Sequence, residues 1–184
     1  MTNITREDWL QAVLHGTVAT ILREAGTEVP ADCRVSMGFP GGGSARKRIG
    51  ECWPRGRSAD KVNEIFINPT LQDLHSILAT LVHEAIHASD DCASGHKGHF
   101  ARIARKVGLE GPLTATHAGP VLSGRLQQII EKMPAFPHGK LNLGGVKKQS
   151  TRMLKFECNE CGAIWRMSAK WEPSSCPCCG SADI

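Results

Sequence analysis

The sequence predicts an α+β fold of one medium domain, followed by a small β module. Three observations predict it. Two helical patterns flank three short strand-like runs in the first half of the 184-residue chain. A strongly apolar helical stretch then carries His83-Glu84-Ala85-Ile86-His87. Finally, five of the eight cysteines fall within residues 158–179. A hydrophobic content of 41% is enough for a core, although aromatics make up only 5% and Tyr is absent.

In chain order, Thr5 and Asp8 form a capping-box pattern with an acid one methylene shorter than usual. Trp9, Leu10, Val13, Leu14, Val18, Ile21 and Leu22 then recur at helical spacing, which predicts a helix over 6–25 stopped by Gly26 and Pro30. Residues 34–39, 49–53 and 62–67 alternate like short strands, bounded by Pro40, the Gly-rich turn 41–44 and Asn68-Pro69. Arg46, Lys47, Arg48, Arg55, Arg57 and Lys61 surround Trp53 there. Such a basic hairpin suits either a grip on single-stranded nucleic acid or a charge-protected sheet edge. Cys33, Cys52 and Cys92 are scattered and read as buried small hydrophobes.

The central helix is expected to open at Thr70, with Asp73 three residues on, and to end near 89–91. Residues four apart on a helix stand one above the other, so His83 and His87 can face a single ion. Glu84 lies about 100° around the helix, within reach of a ligand of that ion. Zinc held this way lowers the pKa of its water to about 7, and an adjacent carboxylate can take the proton.

Such a site needs a third protein ligand. A metzincin pattern would require Gly at 90 and His at 93, where this chain has Asp90 and Ala93. Glu110 would suit a gluzincin arrangement, and His75 lies two turns before His83. The stretch Ser94-Gly95-His96-Lys97-Gly98-His99-Phe100 offers two nearer candidates, His96 and His99.

The succession H-E-x-x-H, a short loop, then G-H-x-x-x-F opening a new helix resembles the SprT-like (Spartan-type) metallopeptidases. The match covers roughly residues 1–138 and is most specific over 83–100. It implies a zincin-like domain, His96 rather than His99 as the third zinc ligand, and Phe100 in the core. Lys97-Gly98-His99 departs from the family's usual sequence there. The resemblance also implies peptide-bond hydrolysis with Glu84 as general base, and substrates bound or crosslinked to DNA. Residues 111–120 read as a loop with His117 structural, and a short helix at 122–133 closes the domain.

Residues 139–150 read as a Pro-, Gly- and Lys-rich linker. Beyond it, Cys158-x2-Cys161 and Cys176-x2-Cys179, each followed by Gly, have the spacing of a four-thiolate zinc ribbon over 151–184. Cys178 is the spare, and a redox dithiol is the rival reading. A module this small cannot build an adequate core, so the metal is expected to supply much of its stability.

The chain's net charge is +4, and residues 139–184 hold 7 Lys+Arg against 4 Asp+Glu. Lys147, Lys148, Arg152, Lys155, Arg166 and Lys170, beside Trp165 and Trp171, therefore suit nucleic-acid contact, protein docking or simple solubility. No apolar signal segment opens the chain and no run approaches membrane-spanning length, so a reducing cytoplasm, with nucleoid association allowed, is expected. The expectation is a zinc peptidase with one catalytic and one structural Zn2+, a protein substrate, DNA as partner and no membrane. A nucleic-acid-binding accessory protein with an inactive H-E-x-x-H zinc is the alternative.

Overall fold

The computed structural model describes residues 4–41, 48–144, 153–168, 170–171 and 173–184. Arg46, Lys47, Lys147, Lys148 and Arg152 lie outside the described residues. The chain divides into two compact units, Met1–Asn142 and Leu143–Ile184. The first runs past the expected boundary at 138 because the Leu141 N–H donates to the Pro69 carbonyl, 2.8 Å away. The described residues are mixed α and β, and none of their helices is long and apolar enough to cross a membrane.

The first unit opens with α1 (Arg6–Val13), capped by Thr5 and Asp8 in the reciprocal arrangement its sequence suggests. The predicted continuous helix is interrupted: Leu14–Val18 is a π-helical turn, and α2 (Ala19–Glu24) resumes the α pattern. Leu14 and Val18 are both buried across that turn, so the widened register keeps the apolar stripe inward.

Strands β1 (Arg34–Met37), β2 (Gly50–Trp53) and β3 (Glu64–Ile67) form one sheet in the order β1-β3-β2. β3 runs parallel to β1 and antiparallel to β2, so β2 is an edge. Two residues of the basic cluster near it are engaged in ion pairs. Arg48 pairs with Glu51, and Arg55 pairs with Asp32.

Helix α3 (Leu74–Ala88) packs on β2 and β3 with one side and meets the π-helical turn and the two later helices with others. Its opening differs from the sequence expectation. Asp73 is itself the N-cap, accepting from Ser76 N at 2.8 Å, because Asn68 and Thr70 are engaged in the preceding turn. Ile77, Leu78, Leu81, Val82, Ala85 and Ile86 are fully buried. Helix α4 (Gly98–Val107) follows, ended by Gly108 in the left-handed conformation. The segment expected as a plain loop contains the two-stranded pair β4 (Leu109–Glu110) and β5 (His117–Ala118). Helix α5 (Pro120–Lys132) then packs on α3.

In the second unit, β6 (Met153–Glu157) and β7 (Ile164–Ser168) pair antiparallel, with Phe156 stacked on Trp165.

One contact fixes the seam between sheet and central helix. A Cβ at Gly50 would lie 2.5 Å from Thr80 Cγ2 and 2.7 Å from a Glu84 carboxylate oxygen. Only a residue without a side chain lets β2 approach α3 this closely. Gly50→Ala is expected to lower stability by about 1–3 kcal/mol, read from chemical denaturation. Parent-like stability in that variant would contradict the close approach.

Candidate metal and catalytic site

Helical periodicity places His83 and His87 on one face of α3, with their rings 5.1 Å apart between centroids. His96 comes from the α3–α4 loop. Gly95 sits there at φ +53°, a region open to glycine, and turns the chain back over the helix. The nitrogens then converge: His96 Nε2 lies 3.3 Å from both His87 Nε2 and His83 Nε2. Phe100 floors the cluster, stacked on His87 at 4.3 Å and edge-on to His83 and His96.

Burial holds the His83 and His87 rings neutral, lowering their pKa values to about 3 and about 4, and it lowers His96 as well. Neutral imidazoles are the form that binds metal. His83 Nδ1 lies 2.7 Å from Thr116 Oγ1. With the proton on Nδ1 donated to that hydroxyl, the Nε2 lone pair points into the cluster. The three side chains could hold a metal ion.

The other candidates are employed elsewhere. His99 Nε2 lies 3.2 Å from Thr27 Oγ1 and 3.1 Å from Ser89 Oγ, and its Nδ1 is 3.2 Å from Arg102, so it ties α4 to neighbouring elements. Glu110 on β4 is exposed, and neither it nor His75 joins the cluster.

Glu84 projects from α3 toward β2 and is only 6% exposed. Burial pushes its carboxyl up to about 8, Cys92 and Glu51 add to this, and the backbone N–H of Cys52 opposes it. It makes no ion pair among the described residues. A cleft of about 530 Å³ opens over the group, walled by β2, the α3–α4 loop and Thr114–Thr116. Thr116 had no signal in the sequence. A hydroxyl that orients a ligand from 33 residues away follows no period or spacing.

In the second unit, Cys158, Cys161, Cys176 and Cys179 form a group that could hold another metal ion. Cys158 and Cys179 sulfurs are 3.6 Å apart, as are those of Cys161 and Cys176. Gly162 and Gly180, at φ 71° and 77°, close the two knuckles by donating to the carbonyls of Cys158 and Cys176. Backbone N–H groups of Cys179 and Cys178 lower the Cys176 thiol to about 6. Cys178 is exposed and outside the group. Of the basic residues proposed beside it, Lys155 pairs with Glu157, while Arg166 and Lys170 are exposed.

Comparison with family models, curated proteins and solved structures returns no match.

Thr116→Val is expected to weaken metal binding at the histidine cluster by about 10–100-fold, and Thr116→Ser to retain it, in a chelator competition. An unchanged affinity in the valine variant would remove Thr116 from the site.

The metal-free chain should show a pH signature. The Glu84 pKa is raised on folding from 4.5, so the stability it contributes is full below about 4.5 and is lost as pH rises toward 8. The histidines have the opposite sign: their contribution is full above 6.5 and is lost as pH falls toward 4 and 3. Metal-free Glu84→Gln should therefore gain stability over the parent progressively between about pH 5 and pH 8. A pH-independent difference in unfolding midpoint would show that Glu84 is not buried as described.

Proposed function

We propose that the chain is a zinc-dependent peptidase of SprT-like type, a zincin-like domain followed by a zinc ribbon. The observation that carries this reading is a buried carboxylate, without an ion-pair partner among the described residues, beside three converging neutral imidazoles under an open cleft.

The donor sets fit zinc. Nitrogens bound tetrahedrally at the usual zinc distance stand about 3.3 Å apart, and thiolates about 3.8 Å apart. The His96 Nε2 separations are 3.3 Å, and the Cys158–Cys179 and Cys161–Cys176 sulfur pairs are at 3.6 Å. His83, His87 and His96 would hold the catalytic ion beneath the cleft. Cys158, Cys161, Cys176 and Cys179 would close a structural one. At the histidine site, zinc supplies Lewis acidity toward a carbonyl and makes water acidic near neutral pH.

The remaining steps belong to this chain. A cation held by the three imidazoles would bring the Glu84 carboxyl down from its elevated value, leaving it ionised and able to accept a proton. Glu84 takes that proton as the water oxygen bonds to the scissile carbonyl carbon. It then delivers the proton to the amide nitrogen as the C–N bond breaks. Gly50 lets β2 lie close against the carboxylate, and the Cys52 backbone favours its ionised form. Thr116 fixes the His83 ring.

The DNA part of the proposal rests on the ribbon. Arg166 and Lys170 are exposed, and Trp171, 69% exposed, offers a flat face on which a base can stack. DNA-bound or DNA-crosslinked proteins are the proposed substrates.

Glu84→Gln should keep both metal ions and lose at least about a hundredfold in cleavage of an unstructured protein, assayed with and without single-stranded DNA. Cleavage that survives the substitution would overturn the mechanism.

A further inference from the structure

Two cysteines that look unrelated in the sequence share the cleft wall. Cys52 lies on β2 and Cys92 on the α3–α4 loop, and both line the cleft beside Glu84. Their sulfurs are 3.5 Å apart, and the Cys92 thiol also lies 3.6 Å from the Cys52 carbonyl oxygen. The expectation of scattered, buried small hydrophobes holds for Cys33, which is fully buried, whereas Cys52 and Cys92 are partly buried and adjacent.

The pairing is built into the loop. Asp91 and Cys92 both have positive φ, 53° and 61°, a conformation disfavoured for a residue with a side chain. Three bonds maintain it. Asp91 Oδ1 accepts from Arg55 N at 2.7 Å and from Asn63 Nδ2 at 2.8 Å, and Cys92 N donates to the His87 carbonyl at 2.8 Å. The strained turn is thereby anchored to the β2–β3 connection, and it presents the Cys92 sulfur to β2. A disulfide needs the sulfurs at about 2.05 Å, so closure takes about 1.5 Å, within reach of side-chain rotation and a small loop shift.

We propose that Cys52 and Cys92 are a thiol–disulfide modification site on the cleft wall, oxidised by a peroxide. The Cys92 sulfur, as thiolate, attacks one peroxide oxygen. The O–O bond breaks, hydroxide leaves, and Cys92 becomes a sulfenic acid. The Cys52 sulfur then attacks the Cys92 sulfur, the S–O bond breaks, and the second oxygen leaves as water with the Cys52 proton. Two thiols and one hydrogen peroxide give one disulfide and two waters, with both sulfurs oxidised and the peroxide reduced. The bond ties the loop that carries His96 to the strand that packs against Glu84. Formation of the bond does not depend on the peptidase reading; its effect on cleavage rests on that reading.

The test treats the metal-loaded full chain with hydrogen peroxide, using exposed Cys178 as the internal gauge of dose. A non-reducing peptide map should show the Cys52 peptide joined to the Cys92 peptide, two hydrogens lighter than their sum and separated by a phosphine. Cys52→Ser should leave a Cys92 sulfenic acid that dimedone traps, and Cys92→Ser should give no joined peptide. If Cys52 and Cys92 stay alkylatable after Cys178 has reacted, or if they pair with other cysteines, the proposal is overturned. Cleavage should fall several-fold on oxidation and return on reduction, in the parent and not in Cys92→Ser. Bond formation without that fall overturns the regulatory effect. A chain that forms the bond but cleaves nothing in either state overturns the peptidase reading alone.

Discussion

The chemistry of the first unit depends on how closely β2 approaches α3 at Gly50. That approach removes the Glu84 carboxylate from water, against a smaller opposing pull from the Cys52 backbone. A buried carboxylate of this kind costs stability unless something uses its charge. The same burial that raises its pKa also keeps His83 and His87 neutral. Acid and base behaviour at the seam are thus set by desolvation, and a cation placed among the three imidazoles would reverse the penalty on Glu84 while leaving the ligands in their binding form. The seam is a place where stability has been given up, which is a common mark of a functional site.

The parts of this arrangement that were legible in the sequence are those set by local geometry. A four-residue spacing on an apolar helix is enough to bring His83 and His87 to one face, and two C-x2-C-Gly knuckles suffice to converge four sulfurs. Most element types followed from periodicity, and Gly26 marked a helix end that the structure also shows. The position of His96 was readable only through resemblance, since spacing alone left His99 equal to it. What separates the two is the left-handed turn at Gly95 and the polar partners Thr27 and Ser89 that engage His99.

The remainder was invisible because it depends on contacts between distant segments. The π-helical turn at Leu14–Val18 answers to packing on both sides of the helix, and no local pattern announces it. Asp73 moved from an inner position to the cap because Asn68 and Thr70 were already bonded to each other. Thr116 reaches His83 only after β4 and β5 pair, and Cys52 meets Cys92 only because Asp91 anchors a strained turn across 36 residues from Arg55. Long-range pairing of this sort leaves each residue looking ordinary in its own neighbourhood.

The central claim is that the first unit holds an ion on three imidazoles with one position open, while the second holds another on four thiolates. X-ray absorption at the zinc edge of the zinc-loaded chain tests this most directly. The account predicts two zinc ions per chain and an averaged shell of about two sulfurs per zinc, the rest being imidazole nitrogen and a lighter contribution from oxygen. A single ion per chain with an all-sulfur shell would contradict it, because the histidine cluster would then be a packing feature and not a metal centre.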